Sequence, residues 1–122
     1  MDPSQLYKKA RDLIKKDAKY SVEAYAFILA GLEFVMKQKE KPGHITGQEL
    51  CQGLRDYAID QYGPMAKTVL AHWGVKATND FGQIVFTLVD AGLMRKQETD
   101  NQEDFANVYS FDDAFSVSYD LN

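Results

Sequence analysis

The sequence predicts a mainly α domain: a winged-helix-like core of three helices plus a β-hairpin, preceded by two packing helices. Three observations carry that expectation. Residues 46–91 hold three helical patterns in close succession. The last of them stops at Gly92 and is followed by two strand-like runs, Leu93–Gln97 and Ala106–Phe111, around a polar tip. Two further helical patterns precede residue 41. The expected layout is a single domain, 1–122, with a helical pair at 1–41, the winged-helix-like core at 44–115 and a tail at 116–122.

Residues 5–18 place Leu6, Ala10, Leu13 and Ile14 on one stripe, which predicts an amphipathic helix. Its other face carries Lys8, Lys9, Arg11, Lys15 and Lys16, with Lys19 just beyond. Ser21 is placed to cap a second helix reaching about Lys37. That helix is apolar nearly all round, from Val22 to Val35, so a central position is expected. Lys37 to Gly43 is a polar linker closed by Pro42-Gly43.

Thr46-Gly47-Gln48-Glu49 has the T-x-x-E form of a capping box, with Ile45 and Leu50 set for a hydrophobic staple. Leu50, Leu54, Tyr57, Ala58 and Tyr62 then recur at core spacing, and Gly63 is positioned to stop the helix. Pro64 suits the first turn of a short helix with Met65, Val69, Leu70 and Trp73 inward and Gly74 at its end. Thr78 or Asp80 caps the next helix, whose Phe81, Ile84, Val85, Leu88 and Val89 repeat without a gap. Gly82 within it costs up to about 1 kcal/mol against alanine, so a close neighbour is expected, from the preceding short helix or Trp73. Phe111 to Phe115 predicts a short capped turn, and 116–122 a docked strand or a frayed end.

The motifs Gly47-Gln48-Glu49-Leu50-Cys51, Tyr62-Gly63-Pro64-Met65-Ala66, His72-Trp73-Gly74, Asp80-Phe81-Gly82-Gln83-Ile84-Val85-Phe86 and Gly92-Leu93-Met94-Arg95-Lys96 together resemble a small family of uncharacterised bacterial proteins of similar length. Gln83 stands where that family carries an acid. The resemblance covers nearly the whole chain and implies a bacterial cytoplasmic protein; it implies no activity.

Charge restricts function. Residues 1–45 hold nine Lys/Arg against six Asp/Glu, and residues 46–122 hold five against twelve. The tip between the strand-like runs, Glu98 to Asp104, carries Glu98, Asp100, Glu103 and Asp104 and no base. A DNA-reading helix needs cations beside it for phosphate, yet none lies between Ala77 and Leu93. DNA binding through the wing is therefore disfavoured. The rival class is nucleic-acid binding, either as a winged-helix DNA reader or by RNA or ribosome contact through Lys8, Lys9, Arg11, Lys15, Lys16 and Lys19.

Chemistry-bearing patterns are sparse. Cys51 is the sole cysteine and sits on an apolar helix face, as a small buried hydrophobe would. His44 and His72 lack ligand spacing for zinc. Asp80-Phe81-Gly82 has no accompanying kinase signature, and the acidic tip lacks the glycine and closing glutamate of a calcium loop. No apolar run reaches membrane-spanning length and Met1 to Ser4 open no secretory signal, so a cytoplasmic location is expected. No catalytic residue, metal or cofactor is implied. The sequence favours a non-catalytic adaptor or regulatory module that meets a basic protein partner. The expected surface is Asn79, Asp80 and Gln83 together with Arg95, Lys96, Glu98, Asp100, Glu103 and Asp104.

Overall fold

The computed structural model describes residues 8, 11–12, 19–39, 45–94 and 102–115. Lys8, Arg11 and Asp12 are helical and exposed. The apolar stripe expected at 5–18 and the tail at 116–122 lie outside the described residues.

Helix α1 spans Val22–Gln38 and α2 spans Gly47–Tyr62. A 3-10 turn, Gly63–Met65, leads into α3, Ala66–His72, and α4 spans Thr78–Asp90. A second 3-10 turn, Gln102–Phe105, precedes the short α5, Phe111–Ala114. Buried side chains from all five helices, with Phe105, form one continuous cluster.

The capping box forms as the sequence predicts. The Glu49 amide donates to Thr46 Oγ1 at 3.0 Å, and the Thr46 amide donates to Glu49 Oε1 at 3.0 Å. The bond from the Thr46 amide, and then the one from Lys39, hold the Glu49 carboxyl below the usual glutamate range. A depressed acid stabilises the fold above its unfolded pKa and loses that contribution as pH falls through the lowered value. Wild type is therefore expected to lose more stability than Glu49→Gln between about pH 6 and about pH 3 in urea titrations. Thr46→Ala is expected to cost about 1 kcal/mol. Equal pH dependence in wild type and Glu49→Gln would sink the assignment.

Glycines stop the helices as expected. At α3, Val75 N–H reaches Leu70 O at 2.9 Å and Gly74 N–H reaches Ala71 O at 3.0 Å, with Gly74 at φ 93°. The end of α4 repeats this pair, Leu93 to Leu88 O and Gly92 to Val89 O, with Gly92 at φ 78°. Both are Schellman motifs, which require a left-handed residue.

Helices α1 and α2 meet through reciprocal notches. Leu54 of α2 sits over Gly31 of α1, and Val35 of α1 sits over Gly53 of α2. Phe27 packs on Tyr57 and Trp73, and Trp73 meets Tyr62 edge-on at 5.8 Å. Trp73 is half-buried rather than a deep anchor, and α1 is not central all round: Val22 is 56% exposed and Met36 50% exposed. Met65, expected inward, is 55% exposed because the 3-10 turn rotates it out. Ser21 precedes α1 but gives no side-chain cap; its amide instead donates to Trp73 O at 3.1 Å.

The winged-helix core is overturned, because the described residues contain no strand. Leu93 and Met94 form a bend, and residues 95–97 of the expected first strand lie outside the described residues. The expected second strand, Ala106–Phe111, is a turn followed by the start of α5. Two causes are visible. Asn107 takes φ 51°, which no strand accommodates. The amides of Asn107 and Val108 donate to Asn79 Oδ1 and Thr78 Oγ1, so α4 side chains take the place of a ladder. The short capped turn at 111–115 is present, with the Asp113 amide donating to Ser110 Oγ at 3.2 Å.

Candidate functional site

In place of a wing, residues 102–115 form an aromatic strap across α2 and α4. Phe105, Phe111 and Phe115 all turn into the core and are buried. Phe105 fills a slot floored by two glycines. A methyl added to Gly82 would lie 2.8 Å from Phe105 Cβ, and one added to Gly47 would lie 2.7 Å from Asp104 Cβ and 3.1 Å from the Phe105 ring. The close neighbour of Gly82 is thus Phe105, not α3 or Trp73. Phe111 packs on Phe81 at 5.6 Å and meets Phe115 edge-on at 5.2 Å.

The strap turns its carboxylates the other way. Glu103, Asp112 and Asp113 are exposed and Asp104 is half-buried. Lys67 of α3 pairs with Asp112. Arg55 Nε donates to Ala114 O at 3.2 Å while its guanidinium also pairs with Asp56.

The polar start of α4 serves neighbouring segments. Asp80 Oδ2 accepts from the amides of Lys76 (2.9 Å) and Ala77 (3.2 Å), so Asp80 caps the helix. Asp80 Oδ1 accepts from the Tyr20 hydroxyl at 2.5 Å, which also reaches Gln83 Oε1 at 3.0 Å. Lys19 Nζ donates to Gln83 Oε1 at 3.1 Å and lies over the Tyr20 ring. Asn79 holds the strap at Asn107. Thr78, expected as a cap, is buried and holds Val108 instead.

The structure therefore brings Asn79, Glu103 and Asp104 to the α4–strap region, with Asp80 and Gln83 half-buried alongside. Arg95, Lys96, Glu98 and Asp100 lie outside the described residues. Of the basic candidates, Lys8 and Arg11 are exposed, Lys19 is engaged as above, and Lys9, Lys15 and Lys16 lie outside the described residues. Sequence patterning missed Phe105, Phe111 and Phe115 as anchors. The usable signal was Gly82, whose need for a close neighbour was legible although the neighbour was not.

Between the strap, α3 and the start of α4 lies an open cleft of about 290 Å³, edged by Lys67, Lys76 and Asn79. Several of its polar groups already bond within the fold, including Lys67, Asn79 and Ser110. Cys51 lies under the strap, fully buried, and burial pushes its thiol up to about 12. At neutral pH it is a protonated thiol rather than a nucleophilic thiolate. The Tyr109 hydroxyl donates to Cys51 O at 2.6 Å, and burial raises the Tyr109 pKa as well. Among the described residues no three His, Cys, Asp or Glu side chains gather as a metal site would need. No helix among them is long and apolar enough to cross a membrane. The chain matches no protein-family model, no curated protein and no solved structure.

Proposed function

We propose that the protein is a non-catalytic adaptor or regulatory module that binds a basic protein partner through the acidic outer face of the strap and the adjoining start of α4. The observation that carries this is the two-sidedness of the strap. Its three phenylalanines are buried while Glu103, Asp112 and Asp113 are exposed, so the carboxylates stand on a backbone anchored from beneath. Fixed charges lose less entropy on binding than charges on a floppy loop, and charge of one sign selects a partner of the other. The surrounding chain reinforces the field: residues 45–94 hold five Asp/Glu against three Lys/Arg.

Cross-linking and affinity capture from the native cell test this, comparing wild type with Glu103→Lys/Asp113→Lys. Partner recovery is expected to fall severalfold, with a larger gap at low salt. Unchanged recovery of the same partner would remove the surface. The rival class, nucleic-acid binding, is supported by the exposure of Lys8 and Arg11, each of them helical. Tight, steeply salt-dependent binding of labelled RNA or duplex DNA, lost on Lys8→Glu/Arg11→Glu, would overturn the protein-partner assignment.

A further inference from the structure

We propose that the cleft between α3, the start of α4 and the strap binds a small phosphate monoester, with Lys67 and Lys76 on the phosphoryl group and the organic body against the Tyr109 ring.

Charge singles out this cleft. Residues 45–94 and 102–115 hold nine Asp/Glu and three Lys/Arg, the latter being Arg55, Lys67 and Lys76. Two of those three cations edge the cleft, and of the nine acids only Asp112 lines it. The cleft is therefore a local cationic site on an acidic stretch of chain.

Hydrogen bonding points the same way. Asn79 Oδ1 accepts from the Asn107 amide at 3.3 Å, which leaves both protons of its Nδ2 to donate. Ser110 Oγ accepts from the Asp113 amide at 3.2 Å, which leaves its hydroxyl proton to donate. Lys67 donates to Asp112, and Lys76 Nζ has no partner among the described residues. Bonds within the fold have thus used acceptors and left donors, the complement of a phosphoryl group with its acceptor oxygens. Two ammonium ions match the dianion that a monoester carries above its second pKa of about 6. A phosphodiester or a carboxylate carries a single charge. The helix dipole adds little, because Asp80 already caps the first turn of α4.

The Lys67–Asp112 pair does not close the site. Its side chains are 52% and 80% exposed, and a pair so exposed is weakly held, so a phosphoryl dianion takes Lys67 from Asp112. The Tyr109 hydroxyl is committed to Cys51 O, so this residue offers the cleft its ring. A volume of about 290 Å³ falls at the small end of ligand sites and suits a compact molecule rather than a chain. Of the acidic face assigned above to a basic partner, Asp112 alone borders the cleft, so the two sites stand apart.

Calorimetric titration with phenyl phosphate at about 0.15 M salt tests this. Saturable binding with a Kd below about 1 mM is expected. Lys76→Gln is expected to weaken it about fivefold. Asp112→Asn frees Lys67 and is expected to tighten it about threefold. Both side chains are exposed, so the melting temperatures of the variants are expected to stay near that of wild type. Inorganic phosphate, which lacks the ring, is expected to bind about threefold more weakly than phenyl phosphate. The proposal fails if phenyl phosphate shows no saturable binding up to about 10 mM. It also fails if Lys76→Gln binds as wild type does, or if Asp112→Asn binds no more tightly. Equal affinity for inorganic phosphate would remove the Tyr109 contact and with it the ester. A phosphotyrosine peptide or a short RNA that binds more tightly than phenyl phosphate would overturn the small-molecule assignment. None of these outcomes depends on partner capture through Glu103 and Asp113, so failure here and failure of the acidic-surface assignment are distinguishable.

Discussion

Phe105→Ala is expected to cost about 3–5 kcal/mol and to lower the melting temperature by on the order of 10–20 °C. The ring is 2% exposed and fills a slot against Gly82 and Gly47. Its removal loses the transfer energy of the ring and leaves a cavity between helix backbones that cannot close far. Gly82 supplies the sharper test. In wild type, Gly82→Ala gains up to about 1 kcal/mol of helix propensity but drives a methyl to 2.8 Å from Phe105 Cβ. Cβ is fixed to the backbone, so the strap itself must shift, and net destabilisation is expected. In the Phe105→Ala background the ring no longer obstructs the site, so the strap shifts more easily and Gly82→Ala is expected to be neutral or stabilising. A double-mutant cycle by urea unfolding measures this. Additive effects of the two substitutions would mean that Phe105 does not occupy the glycine slot.

Gly53→Ala is the second large effect, expected at about 1–3 kcal/mol of overpacking against a propensity gain of up to about 1 kcal/mol. The added methyl would overlap Val35 Cγ2. Val35 is β-branched, with one strongly favoured rotamer in a helix, so it cannot swing aside cheaply. Gly31→Ala faces the δ-methyl of Leu54, the far end of a longer side chain, and is expected to cost less. Thermal unfolding of both variants checks the order. A Gly53→Ala protein as stable as wild type would show that α1 and α2 do not meet at this notch.

The helices were legible in the sequence for local reasons. Helix α4 repeats its apolar positions without a gap, the Thr46–Glu49 box is written in four consecutive residues, and Gly74 and Gly92 mark chain reversals that few other residues accept. The strap was not legible, because what decides its shape is distant. Ala106 to Phe111 has the composition of a strand, but its amides bond Thr78 and Asn79, and its anchors need glycines on two other helices. The same holds at the candidate site. The polar character of Asn79, Asp80 and Gln83 was visible, whereas their binding of Asn107 and Tyr20 belongs to the fold. Half-exposed α1 shows the reverse error. Its composition asked for burial on all sides, and the domain surrounds only part of it.

The hydroxyl of Tyr20 bears on how the chain folds during synthesis. Its partners Asp80 and Gln83 come 60 and 63 positions later in the chain. At about 5–20 residues per second, the ribosome delivers them roughly 3–12 s after Tyr20 itself. During that interval the start of α1 can meet only Trp73, through the Ser21 amide, and α4 adds its hold once its first turn has emerged. Such long-range closure slows folding relative to a bundle of neighbouring hairpins. The middle of the helix that looks most self-sufficient in sequence can thus pack on α2 early, while the Tyr20 contacts at its start are among the last to be locked.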